Sequence, residues 1–160
     1  MEALQNPYES CLCLASRRLA RVLTQAYDHA LADEGLKITQ FSVMCALGSR
    51  ENGAVPLSSV ADALDLEPSS LTRALGPLVR DGFVQITQGK DKRQRFGALT
   101  EHGKQKLKAA RVRWADAQKK TIAAIGAPDA EDMIRRLNNA RRLVLAQDHT
   151  FATVSNNEVQ

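Results

Sequence analysis

A mainly α-helical fold carrying one small β-hairpin is predicted for this chain of 160 residues by three observations. Apolar residues recur at three- and four-residue steps along most of its length. Hydrophobic residues make up 44% but aromatic ones only 4%, so the apolar mass is Ala, Leu and Val, which favours helices packed on helices. The period shortens to two only around residues 83–99, where β-branched and aromatic positions flank a polar tip with one glycine.

Residues 8–34 read as one long helix, with Leu12, Ala15, Leu19, Val22, Ala26 and Ala30 on one stripe. Gly35 suits the left-handed stop. Thr39 is the expected cap of a second helix that carries Phe41, Val43, Met44, Ala46 and Leu47 inward. Residues 49–56 read as a loop, with Asn52-Gly53 as its turn signal. Residues 57–65 form a short helix, and Leu66-Glu67-Pro68 interrupts it. Pro68 opens the next helix, where its missing N–H would be unpaired anyway. That helix passes through Leu71, Leu75, Leu78 and Val79 and stops at Asp81-Gly82, with Pro77 inside it as a source of a kink. Residues 83–87 and 94–99 are the two strands, and residues 88–93 the tip between them. Thr100 caps a helix with Leu107, Ala110, Trp114, Ala117, Thr121 and Ile125 on one face. Gly126-Ala127-Pro128 breaks the chain. A last helix, about residues 129–146, is expected to bury Met133, Ile134, Leu137, Ala140 and Val144, and the tail beyond it to fray.

The net charge of +4 is small, but it is unevenly placed. Residues 67–108 hold nine Lys/Arg against four Asp/Glu, and residues 109–146 hold eight against four. The stretches 1–36, 37–66 and 147–160 are each slightly acidic. The basic charge therefore gathers on the central and later elements.

A short helix, a brief turn and a second helix make a helix-turn-helix, whose second helix reads DNA through its N-terminal residues. Here Leu71, Leu75 and Leu78 face the core, which leaves Ser69, Ser70, Thr72 and Arg73 outward. Arginine can pair with guanine edges, and hydroxyls can take phosphates or bases. Directly afterwards, Lys90-Asp91-Lys92-Arg93-Gln94-Arg95 places four cations on the hairpin. Such a loop can follow the DNA backbone or insert an arginine into the minor groove. Asp91 has a use there if it orients Arg93 through a charge-assisted pair. The two elements in series predict a winged helix-turn-helix with double-stranded DNA as its partner.

These residues resemble a known family. Asp91-Lys92-Arg93 followed by Leu99-Thr100-Glu101-His102-Gly103 is similar to the wing signature, D-x-R…L-T-x-x-G, of the MarR family of bacterial regulators. Ser69-Ser70-Leu71-Thr72-Arg73 resembles the start of its recognition helix, and Val60-Ala61-Asp62-Ala63-Leu64 the helix before it. Gly35-Leu36 and Thr39-Gln40-Phe41 resemble the entry to its second helix. The resemblance covers roughly residues 10–145. It implies a homodimeric repressor of a palindromic operator, with the first and last helices at the dimer interface and ligands bound between that interface and the DNA-binding lobe. The apolar stripes also favour a dimer independently: the two long terminal helices exceed what the central lobe needs to cover its core. The expected organisation is a dimerisation helix at 1–36, a DNA-binding lobe at 37–100, C-terminal dimerisation helices at 101–146 and a disordered tail at 147–160.

Cys11, Cys13 and Cys45 form no disulfide framework, and a reducing cytoplasm is the simplest setting. Cys13 is a candidate redox residue, because Arg17 lies one turn away and a nearby cation can activate a thiol. Leu12-Cys13 with Tyr27 fourteen residues later resembles the peroxide-sensing branch of the same family, but Arg17 and Ile38 stand where further tyrosines would be expected. Cys11 and Cys13 lie about 200° apart on a continuous helix, so a bond between them would need local unwinding. Cys45, Trp114 and Tyr27 read as core. A thiol redox sensor centred on Cys13, or a winged-helix module that binds another protein, are the alternative functions. No metal ligand spacing, phosphate loop, nucleophile elbow or acid–base pair is present, so neither a cofactor nor an enzymatic role is expected. No apolar run approaches membrane-spanning length, and residues 1–5 lack a basic leader, so neither membrane nor secretion is expected.

Overall fold

The computed structural model describes residues 7–49, 53–91 and 93–154. The elements run α1 (Pro7–Ser10), α2 (Leu12–Ala30), a 3-10 turn (Ala32–Glu34), α3 (Ile38–Leu47), β1 (Val55–Pro56), α4 (Leu57–Leu64), α5 (Pro68–Arg80), β2 (Val84–Gln88), β3 (Arg95–Leu99), α6 (Glu101–Ile125) and α7 (Ala127–Val154). The mainly α-helical fold with a small β wing is as expected. The chain divides into two compact units, one up to Ala117 and one from Gln118.

In the first unit α3 is apolar on almost every side, and it sits at the centre. Phe41, Val43, Met44 and Leu47 are buried there. Around them close Leu31 and Leu36, Val60 of α4, Leu71, Leu75 and Leu78 of α5, Val84 of β2, and Leu107 and Ala110 of α6. Trp114 is half-buried and stacks on Phe41, with ring centroids 5.9 Å apart, so it packs as core.

Several boundaries differ from the expectation, each for a local reason. The first helix is not continuous. Cys11 is extended, at φ −75° and ψ 108°, and its Sγ accepts the Leu14 amide at 3.4 Å as the cap of α2. Thr39 does not cap α3. Helix α3 already begins at Ile38, whose amide donates to Asp28 Oδ1 of α2 at 2.7 Å, and the Lys37 amide donates to Gln40 Oε1 at 2.8 Å. Gln40 and Asp28 thus serve the amides at the start of the helix, and Thr39 lies inside it. The loop expected at 49–56 contributes a short strand. β1 pairs with β3, Val55 opposite Gly97, and the sheet runs in the order β1-β3-β2. A two-residue strand has too little alternation to show in sequence.

Helix α5 ends in a Schellman turn. The Phe83 amide donates to Leu78 O at 2.8 Å and the Gly82 amide to Val79 O at 3.1 Å, with Gly82 at φ +73°. Thr100 is the cap of α6, as expected: the Gly103 amide donates to its hydroxyl oxygen at 2.9 Å. The same hydroxyl donates to Gly82 O at 2.6 Å, and the Thr100 amide to Phe83 O at 3.0 Å. One side chain therefore ties the end of α5 to the start of α6. Thr100→Val is expected to lower the unfolding free energy by about 1–2 kcal/mol in chemical denaturation, with Thr100→Ser near wild type. An unchanged denaturation midpoint for Thr100→Val would show that the hydroxyl does not hold this corner.

In the second unit, α7 runs past residue 146 to Val154. The tail expected to fray from 147 is thus helical to 154, because no glycine or proline interrupts residues 129–154; residues 155–160 lie outside the described part. Gly126 alone breaks the chain, at φ +95°, and Ala127 and Pro128 already belong to α7. The apolar stripe of α7 is not buried as expected. Ile134, Leu137 and Val144 are 47%, 44% and 56% exposed, and Met133 and Ala140 half-buried. In the first unit the α2 stripe behaves likewise, with Leu12 and Val22 68% and 61% exposed.

Candidate nucleic-acid interface

Helix α5 buries Leu71, Ala74, Leu75 and Leu78, a spacing that turns the opposite side outward. Ser69, Thr72 and Arg73 are exposed there, as the sequence predicts. Ser70 is half-buried rather than outward. It lies next to buried Leu71 on the helix, and its hydroxyl accepts a hydrogen bond from Arg73 Nη2 at 3.1 Å. The contact ties the arginine side chain to the helix surface. Thr72 donates its hydroxyl to Pro68 O at 2.9 Å, which leaves its oxygen lone pairs as acceptors. Gly76 is also exposed, and a Cβ built there would meet nothing within 4 Å. It is a bare patch of backbone at the middle of the helix face.

Arg80, at the far end of α5, is an exposed cation that the sequence reading passed over. Its guanidinium grips Asp81 through two contacts, Nε to Oδ1 at 2.8 Å and Nη2 to Oδ2 at 3.2 Å. The hydrogen bond from Arg80 holds the Asp81 carboxyl below the usual carboxylate range, and Asp81 in turn raises the arginine.

The wing is built by β2 and β3, paired from Val84 opposite Leu99 to Gln88 opposite Arg95. Lys90, Asp91, Arg93 and Arg95 are all exposed; Lys92 lies outside the described residues. Asp91 does support Arg93, but through the backbone. Its Oδ1 accepts the Arg93 amide at 2.9 Å and its carbonyl the Gln94 amide at 2.9 Å. An aspartate two residues before the amide it accepts makes an Asx turn, so the carboxylate shapes the loop and leaves the guanidinium free of it.

Helix and wing meet across one groove. Thr72 and Gly76 of α5 line it together with Arg93, Gln94 and Arg95 of the wing, over a floor that includes Leu75 and Phe96. Ser58 and Ser59, exposed in the first turn of α4, stand at the same groove. Their position relative to the wing is a tertiary fact that no local pattern carries. The arrangement presents guanidinium forks and hydroxyls from three elements, a donor set suited to phosphates and base edges.

Cys13 and Cys11 are both exposed, and Cys45 is half-buried. Burial pushes the Cys45 thiol up, against the opposing charge and hydrogen bond of Arg111. Among the described residues no group of three His, Cys, Asp or Glu side chains is placed to hold a metal ion. No helix among them is long and apolar enough to cross a membrane.

The fold and this groove define a winged helix-turn-helix DNA-binding protein. MosR, a transcriptional regulator of M. tuberculosis whose structure is known in complex with DNA, is 34% identical, with a TM-score of 0.76 over 86% of this chain and 98% of MosR. A MarR-family transcriptional regulator from Rhodococcus sp. RHA1 is 23% identical, with a TM-score of 0.72 over 88% of this chain and 96% of its own. The HTH-type transcriptional regulator YwoH of Bacillus subtilis (strain 168) is 28% identical over 112 residues, 70% of this chain and 80% of YwoH. No family model matches the chain. The chain belongs to the MarR family of DNA-binding transcriptional regulators.

Proposed function

We propose that this regulator is a cytoplasmic homodimeric repressor that binds a palindromic operator and leaves it on a small-molecule or oxidative signal. The observation that carries the dimer is the pair of exposed apolar stripes, Leu12 and Val22 on α2 and Ile134, Leu137 and Val144 on α7. Large apolar side chains repeated along one helix face lose free energy in water and are covered by association. Residues 1–36 and 101–146 then supply the interface, and residues 37–100 form the lobe that reads DNA. A two-fold axis sets two copies of α5 about one DNA turn, ~34 Å, apart. A signal acts by favouring a dimer geometry in which the two reading helices no longer fit successive major grooves. The exposed Cys13 is the residue on which an oxidative signal would act.

Selection of bound duplexes from a random pool, combined with sedimentation of the protein alone, tests this reading. It expects a dimer and a site of two inverted half-sites; repeating the selection with candidate ligands and with peroxide identifies the signal. A monomer that selects a single half-site overturns it.

In this reading Ser69, Thr72 and Arg73 contact bases, Ser70 positions Arg73, and Lys90, Lys92, Arg93 and Arg95 grip the backbone and minor groove. Arg93→Ala is expected to weaken binding to all duplexes alike and to reduce the salt slope by about one. An unchanged affinity across a salt series would remove the wing from the contact surface.

A further inference from the structure

Thr72, Gly76 and Val79 recur at i, i+4 and i+7 on α5, so they share one face of the helix. All three are exposed and line the groove between α5 and the wing. Gly76 is the unusual member, because glycine is the least favourable residue in a helix interior after proline. Beyond its chain neighbours and the helix backbone, a Cβ built there meets nothing within 4 Å. Pro77 follows it, and a helical residue before proline is less crowded without a Cβ. That accounts for the glycine within the chain. Its consequence outside is a notch, the width of one methyl group, in the middle of the face that α5 turns to the groove.

This face offers DNA no hydrogen-bond donor. The Thr72 hydroxyl donates to Pro68 O at 2.9 Å, and the Gly76 amide is spent inside the helix. Val79, 40% exposed, adds an isopropyl group. A guanine or adenine acceptor pressed against the notch would shed water and find no donor. Of the features that a base pair shows in the major groove, only the thymine C5-methyl is neither donor nor acceptor. It is apolar, it projects from the base edge, and it has the size of the group that Gly76 lacks.

We propose that Gly76 is a specificity-determining position that seats the 5-methyl group of a thymine, with Thr72 and Val79 on either side of it. The proposal rests on the reading of α5 as the helix that enters the major groove, and it adds a base feature which that reading does not name. A side chain at position 76 would hold the helix off this base pair. The glycine selects by lack of bulk, where Arg73 selects by hydrogen bonds.

The test uses the full chain and duplexes of the sequence that it selects from a random pool. Each thymine of the half-site is replaced in turn by deoxyuridine, which removes only the methyl group. At one position the replacement is expected to weaken wild-type binding about fourfold, the worth of one buried methyl. Gly76→Ala is expected to bind the thymine duplex about tenfold or more weakly. At that same position it is expected to lose or reverse the preference for thymine, because the alanine methyl takes the space of the thymine methyl. Arg93→Ala is expected to lose affinity for both duplexes alike and to keep the wild-type preference. A glycine that served only Pro77 would be blind to the methyl. Thermal melts establish that the variants are folded; if Gly76→Ala is not, Gly76→Ala combined with Pro77→Ala takes its place, measured against Pro77→Ala alone. The proposal is overturned if no deoxyuridine lowers wild-type affinity, or if Gly76→Ala keeps either the wild-type affinity or the wild-type preference for thymine. A pool that yields no preferred sequence defeats the reading of α5 as the DNA-reading helix and this inference with it. A preferred sequence that is indifferent to every thymine methyl defeats this inference alone.

Discussion

Gly103→Ala is expected to lower the unfolding free energy by about 3 kcal/mol or more, although it replaces a helical glycine by the best helix former. Intrinsic propensity alone would make this change stabilising by about 1 kcal/mol. The packing reverses the sign. Gly103 is buried in the first turn of α6, and a Cβ there would lie 1.9 Å from the carbonyl oxygen of Phe83 and 2.9 Å from its carbonyl carbon. Both walls are backbone, so no rotamer change relieves the overlap, and overpacking against backbone sits at the upper end of its usual cost. The Phe83 carbonyl is also fixed in place, because it accepts the Thr100 amide at 3.0 Å. Moving α6 away would break that bond and the Thr100 bond to Gly82 together. Urea denaturation of Gly103→Ala and Gly103→Ser measures the effect. A variant as stable as wild type would show that α6 can shift from the hairpin base at little cost.

This corner shows how much of the structure the sequence carried. The glycine at the end of the L-T-x-x-G pattern is legible as a motif, and Thr100 as a cap. That the glycine is needed because α6 starts against the chain leaving α5 is a long-range contact, invisible to any local period. The same division runs through the rest. The helix-turn-helix and wing show because their apolar positions are buried within one lobe, so amphipathic spacing matches burial at Leu71, Leu75 and Leu78. The α7 stripe misled for the converse reason: Ile134, Leu137 and Val144 have the spacing of a core but remain exposed in a single chain. Caps were misjudged where a distant side chain took over, as Asp28 of α2 does for Ile38. At the candidate site, residue identities were legible, but the partners were not. Asp91 accepts the amide of Arg93, and the Ser70 hydroxyl accepts from Arg73.

Half-buried ion pairs add a tie that spacing could not reveal. Lys106 of α6 meets Glu34 at 3.1 Å, and their side chains are only 23% and 16% exposed. The Lys106 ammonium also stands 5.6 Å above the Phe83 ring, at the root of the hairpin. One cation thus connects the turn after α2, the start of α6 and the base of the wing.

Arg73→Ala is expected to cost about 1–3 kcal/mol of affinity for the selected operator, roughly 5- to 150-fold, while leaving folding stability within about 0.5 kcal/mol. The side chain is exposed on the outward face of α5, so removing it creates no cavity. Its guanidinium gives one hydrogen bond to Ser70 and keeps further donors for a guanine edge. The Ser70 contact also narrows the rotamers that must be frozen on binding, so Ser70→Ala is expected to lose affinity in the same direction by a smaller amount. Arg73→Lys separates the two parts of the effect: the charge stays, so binding to random duplex is retained, but the bidentate fork is lost and discrimination at one base pair relaxes. Competition binding with the selected site and single-base variants reads both. If Arg73→Ala weakens selected and random duplexes by the same factor, Arg73 is a phosphate contact, and base reading in α5 must come from Ser69 and Thr72 with the bare backbone at Gly76.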